Sequence, residues 1–246
     1  MKRILLYTCL LLLPFTSHAS KFDILLMGGS ALSNLSNDSQ VNINQYMVNA
    51  YNAQSHNQAQ PVIGVGVGHT FIVANRPLSI GLGLSSYYIN YNKIKGTEFP
   101  FINDGIYDSL NYQFKLKSLN VMLESRFIYT QYMWQPFALV GVGSSWNRLY
   151  SYSETPTIPN DSAASSPYPF SNNTMSSFAY ELGVGVQRQL FMKPSSALQY
   201  FLSLEYRYIN NGKGELGPSA AQTTTDRLQV SHLSVQTIMA TLKVTV

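Results

Sequence analysis

The chain has 246 residues, enough for one all-β domain, and its formal charge of +4 is too small to predict a nucleic-acid partner. Only 11% of the residues are charged while 13% are aromatic, including 17 tyrosines. No segment beyond the N-terminus has the roughly 18 consecutive apolar residues of a transmembrane helix, so the composition favours strands that are apolar on one face only.

The N-terminal segment has the organisation of a secretory signal peptide. Lys2 and Arg3 form a short positive region, and the apolar run from Ile4 to Phe15 is too short to span a membrane. Ser17-His18-Ala19 is a small-x-small cleavage site. We therefore predict that residues 1–19 are a signal peptide that is removed after Ala19.

Cleavage there would leave residues 20–246 as one domain with a formal charge of +2, which is the whole-chain +4 less the two basic residues of the signal. The only cysteine, Cys9, lies in the signal, so we expect no disulfide and no thiolate metal site. His56 and His69 have no partners at metal-ligand spacing. We predict neither a metal nor any other cofactor.

Eight strand-like runs follow, each with apolar residues at every second position. They are Phe22–Leu32, Pro61–Val73, Leu78–Tyr91, Lys115–Thr130, Pro136–Tyr150, Ser177–Leu190, Leu198–Ile209 and Leu228–Val246. A count of ten strands stays open as an alternative.

The connectors between these runs alternate strictly between long and short. The long ones are Ser33–Gln60, Asn92–Phe114, Ser151–Ser176 and Asn210–Arg227, and the short ones are Ala74–Pro77, Gln131–Gln135 and Phe191–Ala197. In an up-and-down barrel, alternate connectors lie at opposite ends of the wall. The order therefore predicts that all long loops lie at one end, as in transmembrane barrels.

Alternation alone does not tell which face points inward, and a soluble lipocalin-like barrel would share it. The face that carries the charges also carries glycines such as Gly64, Gly66 and Gly68, and glycine makes room inside a narrow barrel. Aromatic residues gather at the strand ends, as in the girdles of membrane barrels. They are Tyr87, Tyr88, Tyr91, Trp146, Tyr150, Phe178, Tyr206 and Tyr208 near the long loops, and Tyr129, Tyr132, Trp134, Phe191 and Tyr200 near the short turns. The apolar face is therefore expected to contact lipid.

The last run is an amphipathic strand, with Ile238 and Leu242 on one face and Thr241 and Lys243 on the other. Together with the signal, the eight strands, the girdles and the loop asymmetry, this strand resembles those of the small bacterial outer-membrane barrels of the OmpA and OmpX type. The resemblance covers essentially all of residues 20–246, although such barrels usually end in an aromatic residue and this sequence ends in Val246.

That resemblance implies an all-β, eight-stranded antiparallel up-and-down transmembrane barrel with long extracellular loops. It implies a multi-pass, monomeric protein of the outer membrane of a Gram-negative bacterium. Its expected partners are outer-membrane lipids and lipopolysaccharide, together with a host or environmental surface ligand.

Five charged residues lie on the predicted inner face at similar heights above the short turns. They are Glu124, Arg126, Glu181, Glu205 and Arg207. An eight-stranded lumen is just wide enough for side chains to meet, and unpaired charges there would be costly. We predict a paired ionic plug, with Lys243 or water as further partners. The alternative is a gated path for small solutes or protons.

The connector Ser151–Ser176 interleaves prolines with the aromatic residues Tyr152, Tyr168 and Phe170. Loops on a rigid scaffold often carry binding, and aromatic residues among Ser and Asn suit adaptable contacts. We therefore predict that these three side chains are surface contacts. The alternative is a solvated loop without a partner.

His232 and Ser234 weakly resemble the His-x-Ser pair of small lipid A deacylase barrels. No acidic residue lies in the twelve positions after Ser234 to orient the histidine. We predict a non-enzymatic outer-membrane barrel with roles in envelope structure and surface interaction through its loops. The alternatives are a narrow channel for small solutes and, more distantly, a lipid A-modifying enzyme.

Overall fold

The computed structural model describes residues 21–33, 38–54, 58–102, 109–157, 169–190 and 198–246. The predicted signal peptide, His56 and the predicted connector Phe191–Ala197 lie outside these ranges. Within them, no helix is long and apolar enough to cross a membrane.

The described residues form eight long strands and four short ones. The long strands are β1 (Lys21–Ser33), β4 (Gln58–Ile72), β5 (Leu78–Phe99), β6 (Leu110–Tyr129), β7 (Trp134–Pro156), β8 (Asn173–Gln189), β9 (Gln199–Asn210) and β12 (Ser234–Thr245). The short ones are β2 (Ser39–Asn42), β3 (Val48–Ala53), β10 (Gly214–Glu215) and β11 (Gln229–Val230).

The eight long strands close into an antiparallel barrel. Each pairs with the next long strand along the chain. β12 returns to β1 along the whole stretch from Asp23 to Ser33, so the wall has no free edge. The predicted eight-stranded up-and-down barrel is confirmed, and the alternative of ten wall strands is not observed in the described chain.

Side chains alternate between the two faces of this wall as predicted. Ile63, Leu123 and Val184 point outward with 59–64% exposure, whereas Glu124, next to Leu123, is 3% exposed. Exposed apolar side chains occur in the same way on all eight wall strands. An exposed apolar band of this size is unfavourable in water and favourable in a bilayer core. The outer face is therefore the lipid-facing surface of a transmembrane barrel.

Two β-bulges extend the wall beyond the predicted strand ends. Ile89 and Tyr91 face inward, but the register shift between Tyr91 and Lys93 makes the even-numbered Ile94 the next inward residue. Ser151 on β7, with a φ of 57°, marks the same change there. A bulge inserts one extra residue and so breaks the period-two pattern. The predicted long connector Asn92–Phe114 is therefore mostly strand.

The wall consequently has unequal height. β5, β6 and β7 have 22, 20 and 23 residues, whereas β9 and β12 have 12 each. The β2–β3 hairpin adds to the tall side, because Ala50 to Ala53 pair with the end of β5. Half of the first predicted long connector, Ser33–Gln60, is therefore also strand.

The last predicted long connector does not extend freely from the barrel. Leu216 of this connector is at most 4% exposed, and so are Leu228 and Leu233, which were predicted to lie in the last strand but precede β12. All three belong to one apolar core with inward residues of the wall such as Ile89 and Leu149. The Asn147 amide anchors this segment by donating to the main-chain carbonyls of residues 211 and 213, at 2.7 Å each. The extracellular half of the lumen is therefore filled by the chain itself.

Candidate functional site

A network of ion pairs occupies the middle of the lumen, and Arg207 of β9 is at its centre. The Arg207 guanidinium is fully buried and lies 3.0 Å from the carboxylates of Glu124, Glu181 and Glu205. Arg126 completes the network at 3.3 Å from Glu124 and 3.5 Å from Glu205. The structure thus brings together all five predicted lumen residues, which we call the lumen network.

Glycines on neighbouring strands provide the space for these side chains. Every member of the network lies directly opposite a glycine, in the pairs Gly81–Arg126, Gly83–Glu124, Gly141–Glu181, Gly183–Arg207 and Gly185–Glu205. A Cβ at position 141 would lie 2.5 Å from a Glu181 carboxylate oxygen, and one at position 185 would lie 2.9 Å from Cβ of Glu205. The glycine rows therefore leave the volume that the charged side chains fill.

Two uncharged residues extend the network and were missed in the sequence. The Tyr87 hydroxyl donates to Glu181 at 2.9 Å, and the Thr241 hydroxyl donates to Glu205 at 2.6 Å. Both could have been predicted, because the alternation along their strands places these two side chains on the lumen face. Tyr87 and Tyr91 are instead wrong as members of the predicted girdle, because they are 1% and 3% exposed and face the lumen.

Lys243, predicted as an extra partner of the plug, forms no ion pair with the network. Its ammonium group lies 4.4 Å from the centre of the Phe201 ring. It lines a cavity of about 140 Å³ at the short-turn end of the barrel, together with Lys21 and Gln199. The lumen is therefore hollow below the network and packed above it.

A second buried polar cluster lies in the tall extracellular part of the wall. Glu98, on the extension of β5, accepts hydrogen bonds from the Asn49 amide at 2.6 Å and the Tyr51 hydroxyl at 2.8 Å. Its other oxygen accepts one from the Tyr152 hydroxyl at 3.0 Å. Burial and the neighbouring Glu154 carboxylate raise the pKa of Glu98 to about 7. This rim cluster ties the β2–β3 hairpin to β5 and β7.

The prediction that Tyr152 and Phe170 are surface contacts is wrong. They are 8% and 6% exposed, and their rings meet edge to face at 5.1 Å. The physical reason is the bulge at Ser151, which turns Tyr152 inward into the apolar core. Tyr168, the third predicted contact residue, lies outside the described residues.

The candidate catalytic pair is not assembled in the described part of the chain. His232 precedes β12, which begins at Ser234, so the two residues do not lie side by side on one strand. His232 is exposed and makes no hydrogen bond with Ser234 or with a described carboxylate. No group of three His, Cys, Asp or Glu residues in the described ranges could hold a metal ion.

No family model and no curated protein matches the chain. Among solved structures it is similar to the Neisserial surface protein A, at 12% identity over 92% of this chain and 99% of that chain, with a TM-score of 0.40. It is similar to the outer membrane protein OprG from Pseudomonas aeruginosa, at 13% identity over 92% and 97%, also with a TM-score of 0.40. It is similar to the attachment invasion locus protein Ail of Yersinia pestis, at 11% identity over 90% and 98%, with a TM-score of 0.33.

Likenesses at this level say nothing about the activity of the chain. Its own closed wall of eight strands and its apolar outer surface give it the fold of a small outer-membrane barrel.

Proposed function

We propose that this barrel serves envelope structure and surface interaction as a monomer, without enzymatic activity or a cofactor. The observation that supports a non-conducting role is the state of the lumen at Arg207. Its side chain is fully buried between three carboxylates, and the chain's own apolar core fills the lumen above it. A steady pore would need a continuous polar path past both obstacles.

Planar-bilayer recording tests this proposal. We expect no steady conductance from the refolded wild type. We also expect none from a variant in which residues 214–230 are replaced by a short Gly-Ser turn, because the lumen network would still close the barrel. Adding Glu124→Ala and Arg207→Ala to that variant removes both obstacles and should produce conductance, which shows that the assay detects an open lumen. A stable wild-type pore would favour the narrow channel instead.

The surface-interaction part of the proposal is supported by the ordered extracellular rim. The rim cluster holds the β2–β3 hairpin against the wall, which gives the remaining loop segments a rigid base. Because Tyr152 and Phe170 belong to the core, the test should replace only residues 158–168 with a Gly-Ser turn. We expect the unboiled protein to keep its fast gel mobility while whole cells lose adhesion to surfaces that wild-type cells bind. Unchanged adhesion would contradict recognition by this loop.

A lipid A-modifying activity is disfavoured by the surroundings of His232. An orienting carboxylate would have to bond to its ring, and none of the described carboxylates does so. Incubation with lipid A, followed by mass analysis of the released acyl chains, would detect such an activity. Release by the wild type that is lost in Ser234→Ala would overturn the non-enzymatic proposal.

A further inference from the structure

We propose that the outward face of β5, β6 and β7 binds a phosphorylated glycolipid of the lipopolysaccharide type. Three levels of this face would contact its acyl chains, its phosphates and its sugars in that order. We call this surface the glycolipid face. The inference rests on the outer-membrane role proposed above and specifies which part of the wall contacts the lipid.

The middle level is a group of five outward cations on three adjacent strands. They are Lys93, Lys95, Lys115, Lys117 and Arg148. Toward the long loops, Lys117 lies two positions above the outward Leu119 on β6, and Arg148 lies two positions above the outward Trp146 on β7. This places the cations immediately above the hydrocarbon, at the level of lipid headgroups.

The strand register makes this group unfavourable without a ligand. Lys93 is paired directly with Lys115, and Lys117 is paired directly with Arg148. Like charges directly opposite each other on neighbouring strands are destabilising. None of these four side chains forms an ion pair with a carboxylate of the described residues. A bound anion would neutralise this repulsion. Like-charged pairs that break the usual pairing preference of neighbouring strands are typical of a functional site.

One aromatic ring brings two of the cations together. The Lys117 ammonium lies 5.4 Å from the centre of the Tyr150 ring, and the Arg148 guanidinium carbon lies 5.7 Å from it. Cation–π contacts hold both groups at the same point between β6 and β7. An ammonium and a guanidinium positioned together suit the charge and the hydrogen-bonding geometry of a phosphate group.

The lower level is an apolar depression of about 500 Å³ in the lipid-facing wall. It lies over one cross-strand row in which Leu82, Ser125, Val140 and Leu182 are successive neighbours. The depression forms because the Ser125 side chain is smaller than its neighbours. From Leu123 to Lys117 is about 20 Å along the strand, or about 15 Å in height at a typical barrel tilt. That is about half of a bilayer core, the depth that one acyl chain spans.

The upper level is a polar groove of about 260 Å³ on the same three strands. Its outward lining comprises Lys95, Asn111, Gln113, Ser153 and Thr155. Amides and hydroxyls both donate and accept hydrogen bonds, as recognition of sugar hydroxyls requires. The long-loop ends of β1, β8, β9 and β12 carry no outward lysine or arginine in the described chain. The apolar, cationic and polar levels therefore lie on the same side of the barrel, and among the described wall strands only this side carries outward cations near the long loops.

The test compares Lys117→Gln/Arg148→Gln with a control that removes two charges elsewhere, Arg76→Gln/Lys213→Gln. Both proteins and the wild type are refolded into phosphatidylcholine vesicles that contain fluorophore-labelled bisphosphorylated lipid A or its phosphate-free form. All three proteins carry Trp134→Phe, so that energy transfer comes from Trp146 and reports lipid bound at this face. We expect the wild type to prefer the phosphorylated form, and the patch variant to bind it about 30-fold more weakly, as for two cations at a membrane surface. The control should stay within about twofold of the wild type.

The outcomes separate this inference from the proposed function. Failure of the wild type to insert, seen as equal mobility of boiled and unboiled samples, would overturn the membrane barrel and the glycolipid face together. Normal insertion with equal binding of both lipid A forms, or equal losses in patch and control variants, would overturn the glycolipid face alone. Tighter binding of soluble heparin than of phosphorylated lipid A would overturn it as well, because the cations would then serve a soluble polyanion.

Discussion

Replacing Arg207 by methionine tests whether the lumen network stabilises the barrel as one coupled unit. Methionine keeps an unbranched side chain but removes the three ion pairs at 3.0 Å to Glu124, Glu181 and Glu205. Three carboxylates and two guanidinium groups give the network a formal charge of −1. The variant has −2, because Arg126 is then the only cation.

The expected loss follows from burial of the abandoned carboxylates. Breaking a buried ion pair by removing one partner costs about 3–5 kcal/mol, since the remaining charge stays desolvated. Glu181 is the most affected, because it has no contact with Arg126 and keeps only the Tyr87 hydroxyl at 2.9 Å. Adding Glu181→Gln restores the network charge to −1. We expect the double variant to recover about 1–2 kcal/mol of the loss.

Urea unfolding in lipid vesicles, followed by tryptophan fluorescence, measures these free energies. Arg76→Met is the matched control, because Arg76 is an exposed arginine in the short turn between β4 and β5 and forms no ion pair with the described residues. A surface substitution of that kind should change the free energy of unfolding by less than about 0.5 kcal/mol. A loss below about 1 kcal/mol in Arg207→Met, or strictly additive losses in the double variant, would refute the coupled network.

Three further predictions concern other parts of the molecule. Because burial raises the pKa of Glu98 to about 7, folded-state stability at the rim should fall as pH rises from about 4.5 to 7, and Glu98→Gln should abolish this slope. Hydrogen exchange of the β2–β3 hairpin at several pH values measures this pH dependence of stability. Gly141→Ala should cost about 1–3 kcal/mol in urea unfolding, since its Cβ would lie 2.5 Å from Glu181. The closed wall should make unboiled protein run faster on gels than boiled protein.

The predictions for Glu98 and Gly141 each have a matched control variant. Glu215→Gln removes a carboxylate outside the rim cluster and should leave the pH slope intact; an equal slope in wild type and Glu98→Gln would contradict the role of Glu98. Tyr51, Tyr112, Tyr152 and Glu154 are the other titratable groups at this site, and the tyrosines stay protonated over this range because burial raises the pKa of all three. Gly28→Ala meets nothing within 4 Å and should be neutral. Similar costs at both glycines would show that the network does not need the space.

The wall and the lumen network could be predicted because both follow from counting along the chain. Alternation fixes which side chains share a face, and the number of residues from a short turn fixes their height. Glu124 and Arg207 are 83 positions apart, yet parity and height alone bring them together. The glycine rows added the third clue, since they mark the face that needs space.

The extracellular part could not be predicted in the same way. The bulge between Tyr91 and Lys93 changes the parity by one, so the residues beyond it no longer fit the pattern of their own strand. The filling of the barrel mouth depends on long-range contacts such as that of the Asn147 amide with the carbonyl of residue 211. A buried Leu216 within a polar connector has no periodicity that would reveal its position.

The unequal height of the wall has a consequence for what can reach this protein on a living cell. The ten residues by which β5 exceeds β9 correspond to about 33 Å along the strand, or about 25 Å in height at a typical tilt. A layer of surface polysaccharide that covers the low β9–β12 side would leave the crest of β5, β6 and β7 exposed. Antibodies that label intact cells should therefore map to that crest, whereas epitopes on the low side should become accessible only on cells that make truncated surface sugars.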